Sequence, residues 1–111
     1  MRFEENKIGS ILVAKVLDNR IAADVAQQFK AHIAGYLKDG EHSIVLDLAA
    51  VSFIDSSGLG ALISSLKAIG GDGNLVISGA CGTVATMFKL TRMDKVLRVF
   101  GTTEEAVAAI S

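Results

Sequence analysis

Residues 51–60 read V-S-F-I-D-S-S-G-L-G and pass from an apolar approach, through one acid and two adjacent serines, into a segment with two glycines. An apolar pattern with helical spacing starts at Leu59, so the stretch predicts a corner where a strand ends and a helix begins. Acidic and hydroxyl side chains are favoured there because they accept hydrogen bonds from the unpaired N–H groups of the first helical turn. The same N–H groups and the helix dipole also suit a phosphate. Asp55-Ser56-Ser57-Gly58 therefore has two interpretations, an ordinary helix cap or a hydroxyl that is modified or contacts an anion.

Length and composition predict one ordinary globular domain. The 111 residues carry a formal net charge of −1, and 50% of them are hydrophobic, which excludes a disordered chain and predicts a single domain over residues 1–111. The balanced charge gives no support to direct nucleic-acid binding, which usually requires a strongly basic domain. The first residues lack an apolar signal-peptide core and no apolar run is long enough to cross a bilayer. We therefore expect a cytoplasmic protein without membrane insertion.

Cysteine and histidine are too sparse to predict a metal, cofactor or redox site. Cys81 is the only cysteine and has no second cysteine to pair with, so we expect an inert, packed side chain. His32 and His42 stand apart from any cluster with metal-ligand spacing. A catalytic serine needs an aligned base, and neither histidine lies in a catalytic motif. The corner also lacks the G-x-S-x-G pattern, so the sequence predicts no catalytic residue and no enzyme.

Apolar spacing along the chain predicts strands that alternate with helices. Residues 3–7 and 10–17 predict an opening hairpin, and the nearly continuous apolar run at 43–48 predicts a central strand covered on both faces. Further strands are predicted at 74–78 and 96–100, with four helices starting after Ile21, at the corner, near Val84 and at Thr102. This order predicts an α/β domain with a mixed, mostly parallel central sheet. The residues expected to share one core are Ile44, Leu46, Leu48, Leu62, Ile63 and Leu66.

The segment V-S-F-I-D-S-S-G-L-G-A-L at residues 51–62 closely resembles the phosphorylation-site segment of the bacterial STAS-domain anti-sigma factor antagonists. The resemblance covers essentially the whole chain, including the V-x-x-M-F-K-L-T-R-M segment at 84–93 and V-L-R-V-F at 96–100. It implies a single STAS domain. In that family the second serine of the pair is phosphorylated by an anti-sigma factor that is also a serine kinase, and the match places this role on Ser57.

The resemblance also implies a switch between protein partners. The unphosphorylated protein would bind a GHKL-type anti-sigma factor kinase and release a sigma factor, phosphorylation would stop binding, and a serine phosphatase would reset the protein. The loop at 18–20 and the corner both follow strands, and parallel neighbouring strands would bring them to one edge of the sheet. The expected partner-binding residues are Asp18, Asn19, Arg20, Asp55, Ser56, Ser57, Gly58, Leu59 and Gly60. We expect a monomer or a weak homodimer without a cofactor.

One segment departs from the family pattern. The sporulation-type antagonists carry Gly-Glu-Leu-Asp after the second strand, where this chain has Val16-Leu17-Asp18-Asn19-Arg20. The difference bears on the partner rather than on the fold. A second interpretation is a STAS scaffold, or an accessory subunit of a signalling or lipid-transport complex, that is never phosphorylated. The presence of both serines favours the switched interpretation.

Overall fold

The fold combines seven strands with four helices in a computed structural model that describes all residues, 1–111. In chain order the elements are β1 (Phe3–Ile8), β2 (Ile11–Val16), β3 (Arg20–Ile21), α1 (Ala26–Lys38), β4 (Ser43–Asp47), β5 (Phe53–Ile54), α2 (Ser56–Ile69), β6 (Asn74–Ser78), α3 (Gly82–Leu90), a 3-10 turn (Met93–Lys95), β7 (Val99–Phe100) and α4 (Thr103–Ile110). Of the four helices, none has both the length and the apolar character needed to span a membrane.

The main sheet has five strands in the order β1-β2-β4-β6-β7. β1 and β2 form an antiparallel hairpin, and the remaining pairs in this sheet are parallel. The prediction of a mixed, mostly parallel sheet with an N-terminal hairpin and about four helices is therefore confirmed. Two further strands, β3 and β5, pair in parallel as a separate ribbon that the apolar spacing did not predict.

Strand β4 lies at the centre of the sheet and contributes side chains to two cores, one on each face. Ile44 and Leu46 point into the larger core, which α1, α2 and α3 complete. Val45 points to the opposite face, into a small core that includes Ala106 of α4. All three β4 side chains are fully buried, as predicted for a central strand. Burial of each such side chain contributes roughly 1.5–3 kcal/mol to folding.

The predicted core is confirmed for Ile44, Leu46, Leu48 and Leu62, which are all fully buried, and wrong for Ile63. Leu66 is half-buried and packs at the edge of the larger core. Ile63 is only half-buried and belongs to neither core.

The packing face of α2 explains the position of Ile63. The small residues Gly58, Ala61 and Ser65 are buried, so the helix approaches the rest of the fold along a face that contains them and Leu62. The buried Ser65 hydroxyl donates to the Ala61 carbonyl at 2.9 Å, so it leaves no unsatisfied polar group. The helix face predicted from the large apolar residues alone is therefore rotated about the helix axis, relative to the face that is buried.

The predicted strand at 96–100 is too long, because only Val99–Phe100 pair with β6. Arg92 adopts a left-handed conformation with φ 60°, and the chain then forms the 3-10 turn instead of extending. Leu97 is buried, whereas Val96 is 53% exposed. Arg98 is exposed, as predicted.

The ribbon of β3 and β5 packs closely against the first turn of α2. Ile21 and Ile54 pair in register and are both fully buried beneath the ribbon. A Cβ atom added to Gly58 would lie 2.1 Å from the Ile21 carbonyl oxygen and 2.8 Å from Cγ1 of Ile54. Only glycine at position 58 permits this approach.

We expect Gly58→Ala to lower the free energy of unfolding by about 1–3 kcal/mol, because the added methyl group must displace the Ile21 backbone. Gly60→Ala is the matched control, since a Cβ there meets no atom within 4 Å. This control should stabilise the protein by up to about 1 kcal/mol, because alanine is the better helix former. Urea unfolding measures both variants. Equal effects of the two substitutions would contradict the close packing of α2 on the ribbon.

Candidate functional site

The loop after β2 and the corner after β4 lie at the same edge of the sheet, as expected from parallel neighbouring strands. The backbone N–H of Ser52 donates to the Asn19 carbonyl at 2.8 Å, and the Ser52 hydroxyl donates to the same oxygen at 3.0 Å. The Asp55 N–H donates to the Ile21 carbonyl at 3.3 Å. These bonds join residues 19–21 to residues 52–55 and form the framework of the site.

Asp55 caps α2 and also holds the neighbouring loop. Its backbone is extended, and its Oδ1 accepts a hydrogen bond from the Gly58 N–H at 2.9 Å. Its Oδ2 accepts from the Ala23 N–H at 3.1 Å. The cap interpretation of the corner is therefore confirmed, and the capping group is the acid rather than either serine.

The surroundings of the Asp55 carboxylate lower its pKa from the usual 3.8. The Gly58 N–H is the largest cause, and the backbone N–H groups of Ala23 and Ser57 act in the same direction. The Arg20 guanidinium adds a smaller attraction, while desolvation opposes the shift. Arg20 is itself paired with Asp24, with 2.7 Å between Nη1 and Oδ2. The corner thus favours a negative charge at the position of Asp55.

Ser56 and Ser57 occupy the first two positions of α2 and are exposed. The cap bond comes from the Asp55 side chain, so capping requires neither hydroxyl. Both hydroxyls are accessible to a macromolecule that approaches this edge of the sheet. The site therefore presents two free hydroxyl groups on a rigid helical turn.

The other expected partner-binding residues divide into exposed and buried positions. Asn19, Arg20 and Gly60 are exposed, and the half-buried Asp18 accepts a hydrogen bond from the Arg2 N–H at 2.8 Å. The remaining two, Gly58 and Leu59, are buried within the fold. These two support the surface from beneath and present no side chain to a partner.

Phe53 is an exposed aromatic residue of the site and was not among the predicted partner-binding residues. It pairs in register with Arg20 across the ribbon, and 44% of its surface is exposed. Strand alternation in S-F-I-D contains the signal, because a buried Ile54 requires Phe53 to face outward. Cys81, expected to be packed, is exposed at the residue before α3, so that expectation is wrong.

The corner lies outside the surface depressions of the fold. The two surface depressions of the fold, with volumes of about 110 and 320 Å³, lie along α1 and include no residue of 55–60. Small-molecule sites are usually concave and of roughly 300–1,000 Å³. The exposed corner therefore presents its side chains on an open surface.

We expect Asp55→Asn to destabilise the protein at neutral pH, because the amide NH₂ cannot accept the Ala23 hydrogen bond. The folded-state pKa of Asp55 lies below its unfolded value, so its stabilisation is complete above that unfolded value, 3.8. As the pH falls through 3.8 towards the folded-state pKa, the unfolded state binds the proton first and the stabilisation is lost.

The stability difference between wild type and Asp55→Asn should therefore narrow in acid, as measured by urea unfolding at several pH values. Asp72→Asn is the control, because Asp72 is exposed in the turn before β6. It should leave stability at neutral pH unchanged. A difference for Asp55→Asn that stays constant with pH would contradict the charged cap.

Known proteins share both sequence and fold with this chain. The STAS domain family matches residues 4–106. An anti-sigma-B factor antagonist from Staphylococcus epidermidis is 35% identical over 68 residues, which cover 60% of this chain and 63% of the relative. The chain therefore aligns with less than two thirds of that relative's length.

Two solved structures have a similar fold. An anti-sigma factor antagonist from Mycobacterium paratuberculosis superposes with a TM-score of 0.88 at 22% identity, covering 97% of this chain and 92% of that one. The phosphorylated form of the Bacillus cell fate determinant SpoIIAA superposes with a TM-score of 0.68 at 20% identity, covering 99% of this chain and 100% of that one. At these identities the superpositions establish the fold alone. The family match extends from β1 into α4 and includes the ribbon and the corner, so this chain belongs to the STAS domain family.

Proposed function

We propose that this chain is a cytoplasmic anti-sigma factor antagonist whose binding to an anti-sigma factor is switched off by phosphorylation of Ser57. The observation that carries the proposal is the exposed Ser57 hydroxyl on a helical turn that Asp55 already caps. The name of the staphylococcal relative, an anti-sigma-B factor antagonist, supports the same role. The phosphorylated SpoIIAA structure supports a phosphorylated state of this fold.

In the proposed reaction the kinase supplies the catalytic groups. A GHKL-type kinase binds ATP, the Ser57 oxygen attacks the γ-phosphorus, and the bond from that phosphorus to the β-phosphate oxygen breaks to release ADP. The hydroxyl proton passes to a base of the kinase. A serine phosphatase later transfers the phosphoryl group to water. Ser57 is thus a substrate and not a nucleophilic catalyst.

The positions of the histidines agree with that role. His42 immediately precedes β4, at the opposite end of this strand from the corner. The His32 ring stacks on Phe3 with 3.9 Å between ring centroids, and its Nε2 lies 3.5 Å from Glu5. Both histidines therefore belong to other parts of the fold, and neither serves as a base for the Ser57 hydroxyl.

The fold tolerates a phosphoryl group on Ser57. The group adds about −1.5 to −2 charges, and the N-terminus of a helix stabilises an anion by roughly 0.3–1 kcal/mol. At an interface the added charge becomes unfavourable, because the partner would have to remove water from the phosphoryl dianion beside the Asp55 carboxylate. Phosphorylation therefore opposes binding while leaving the fold intact.

We expect phosphorylation of Ser57 to weaken binding to the cognate anti-sigma factor by on the order of 100-fold or more, which corresponds to about 2.7 kcal/mol. Ser57→Ala should bind and remain unmodified, whereas Ser57→Asp should lose part of the affinity because it supplies one charge and fewer oxygens. Ser56→Ala is the matched control and should still be phosphorylated. Mass spectrometry locates the phosphate after incubation with kinase and ATP, and calorimetry measures affinity.

Phosphate on Ser56 with Ser57 unmodified would refute the assignment of the switch. Undiminished binding of protein phosphorylated on Ser57 would refute the mechanism. Stable partner binding with no phosphorylation at either serine would instead favour a permanent scaffold or accessory subunit.

A further inference from the structure

Residues 89–99, which we call the basic segment, concentrate positive charge that the fold does not neutralise. The segment contains four cations and the single acid Asp94, a net charge of +3, so the other residues sum to −4. The cations are Lys89, Arg92, Lys95 and Arg98. All four are exposed, and none of them forms an ion pair within the chain. The Arg98 guanidinium instead lies over the Phe100 ring, 5.5 Å from its centroid.

The same segment exposes large apolar side chains between its cations. Leu90 is 78% exposed, Val96 is 53% exposed and Val99 is 38% exposed. Single exposed apolar residues are normal, but these three lie within ten positions of one another in the sequence, among the cations. Cations interleaved with apolar groups fit a partner surface that combines carboxylates with an apolar cleft.

The basic segment is anchored and has a defined shape. α3 ends at Leu90, the left-handed Arg92 reverses the chain, and the 3-10 turn follows. Leu97 is buried in the larger core, and Met93 packs against the same core. The outward side chains are therefore held by inward anchors, which lowers the entropy lost on binding.

The segment starts with Lys89 and Leu90, the last two residues of α3. α3 packs against β5, and β5 is followed directly by Asp55 and the serine pair. The exposed Phe53 is on that same strand. A partner that covers Ser57 and Phe53 would therefore approach the helix in which the basic segment begins.

We propose that the basic segment is a second docking surface for the same anti-sigma factor, and that it receives an acidic, apolar-lined surface of that partner. This inference rests on the proposed function. A protein fits the segment better than nucleic acid or lipid does. The rest of the chain, with its net charge of −4, would be repelled by either polyanion.

The test reverses two charges in the segment and compares them with two elsewhere. Lys89→Glu/Lys95→Glu changes the basic segment, and Lys38→Glu/Lys67→Glu is the matched control. Lys89, Lys38 and Lys67 each lie in the last turn of an α-helix and Lys95 lies in the 3-10 turn, and the two variants change the net charge by the same amount. Leu90→Ser tests the apolar contribution in a residue that is 78% exposed and is not needed for the core.

The binding partner in the assay is the anti-sigma factor that binds wild type, and affinity is measured at several salt concentrations. We expect Lys89→Glu/Lys95→Glu to weaken binding at least about 10-fold and to reduce its salt dependence. The control should change affinity less than about 2-fold, as isolated surface charges do. Leu90→Ser should weaken binding several-fold. Circular dichroism verifies that each variant is folded.

Equal affinities for the segment variant and the control would refute this docking surface and leave the proposed function intact. Failure of wild type to bind any anti-sigma factor of its source organism would refute the proposed function, and this surface with it. Flotation of wild type with phosphatidylglycerol-containing vesicles at about 0.15 M salt, lost in Lys89→Glu/Lys95→Glu, would assign the segment to a membrane and refute the protein partner.

Discussion

The two hydrogen bonds accepted by the Asp55 carboxylate join the start of α2 to the loop that follows β3. One bond fixes the start of α2 through the Gly58 N–H, and the other fixes the preceding loop through the Ala23 N–H. The ribbon between them has only two residues in each strand, and a two-stranded pairing is marginal by itself. Its persistence depends on this carboxylate, on the buried isoleucines beneath it, and on the absence of a side chain at Gly58.

At the corner, one residue caps the helix and different residues present free hydroxyl groups. Serine is a common helix cap, and a capping serine would have its hydroxyl engaged with the backbone. Here Asp55 supplies the cap, so Ser56 and Ser57 remain exposed on a turn that is already rigid. A group added to Ser57 can alter the charge of the surface without removing a bond on which the helix start depends. The proposed switch follows from that separation.

The sequence predicted the features that periodic patterns encode. The continuous apolar run of β4 and the acid-serine corner predicted a buried central strand and a helix start, and both are present. Tertiary packing decides the rest. A two-residue strand such as β5 is too short for apolar spacing to predict, and the outward position of Phe53 follows from strand alternation only once the burial of Ile54 is known. Ile63 was misplaced because small residues define the packed face of α2. The segment at 96–100 resembles a strand in sequence, but only Val99–Phe100 pair with β6, and Leu97 is buried in the core before them.

In the proposed switch, phosphorylation of Ser57 changes the surface and leaves the fold unchanged. The most direct test compares amide NMR spectra of the unmodified protein with those of protein carrying phosphoserine at position 57, installed during expression. We expect shifts confined to the corner, the ribbon and the loop at 20–24, because these groups surround the Asp55 carboxylate. Amides of β4, β6 and α1 should keep their positions. Widespread shifts in these elements would show that the phosphoryl group refolds the domain and would contradict the account.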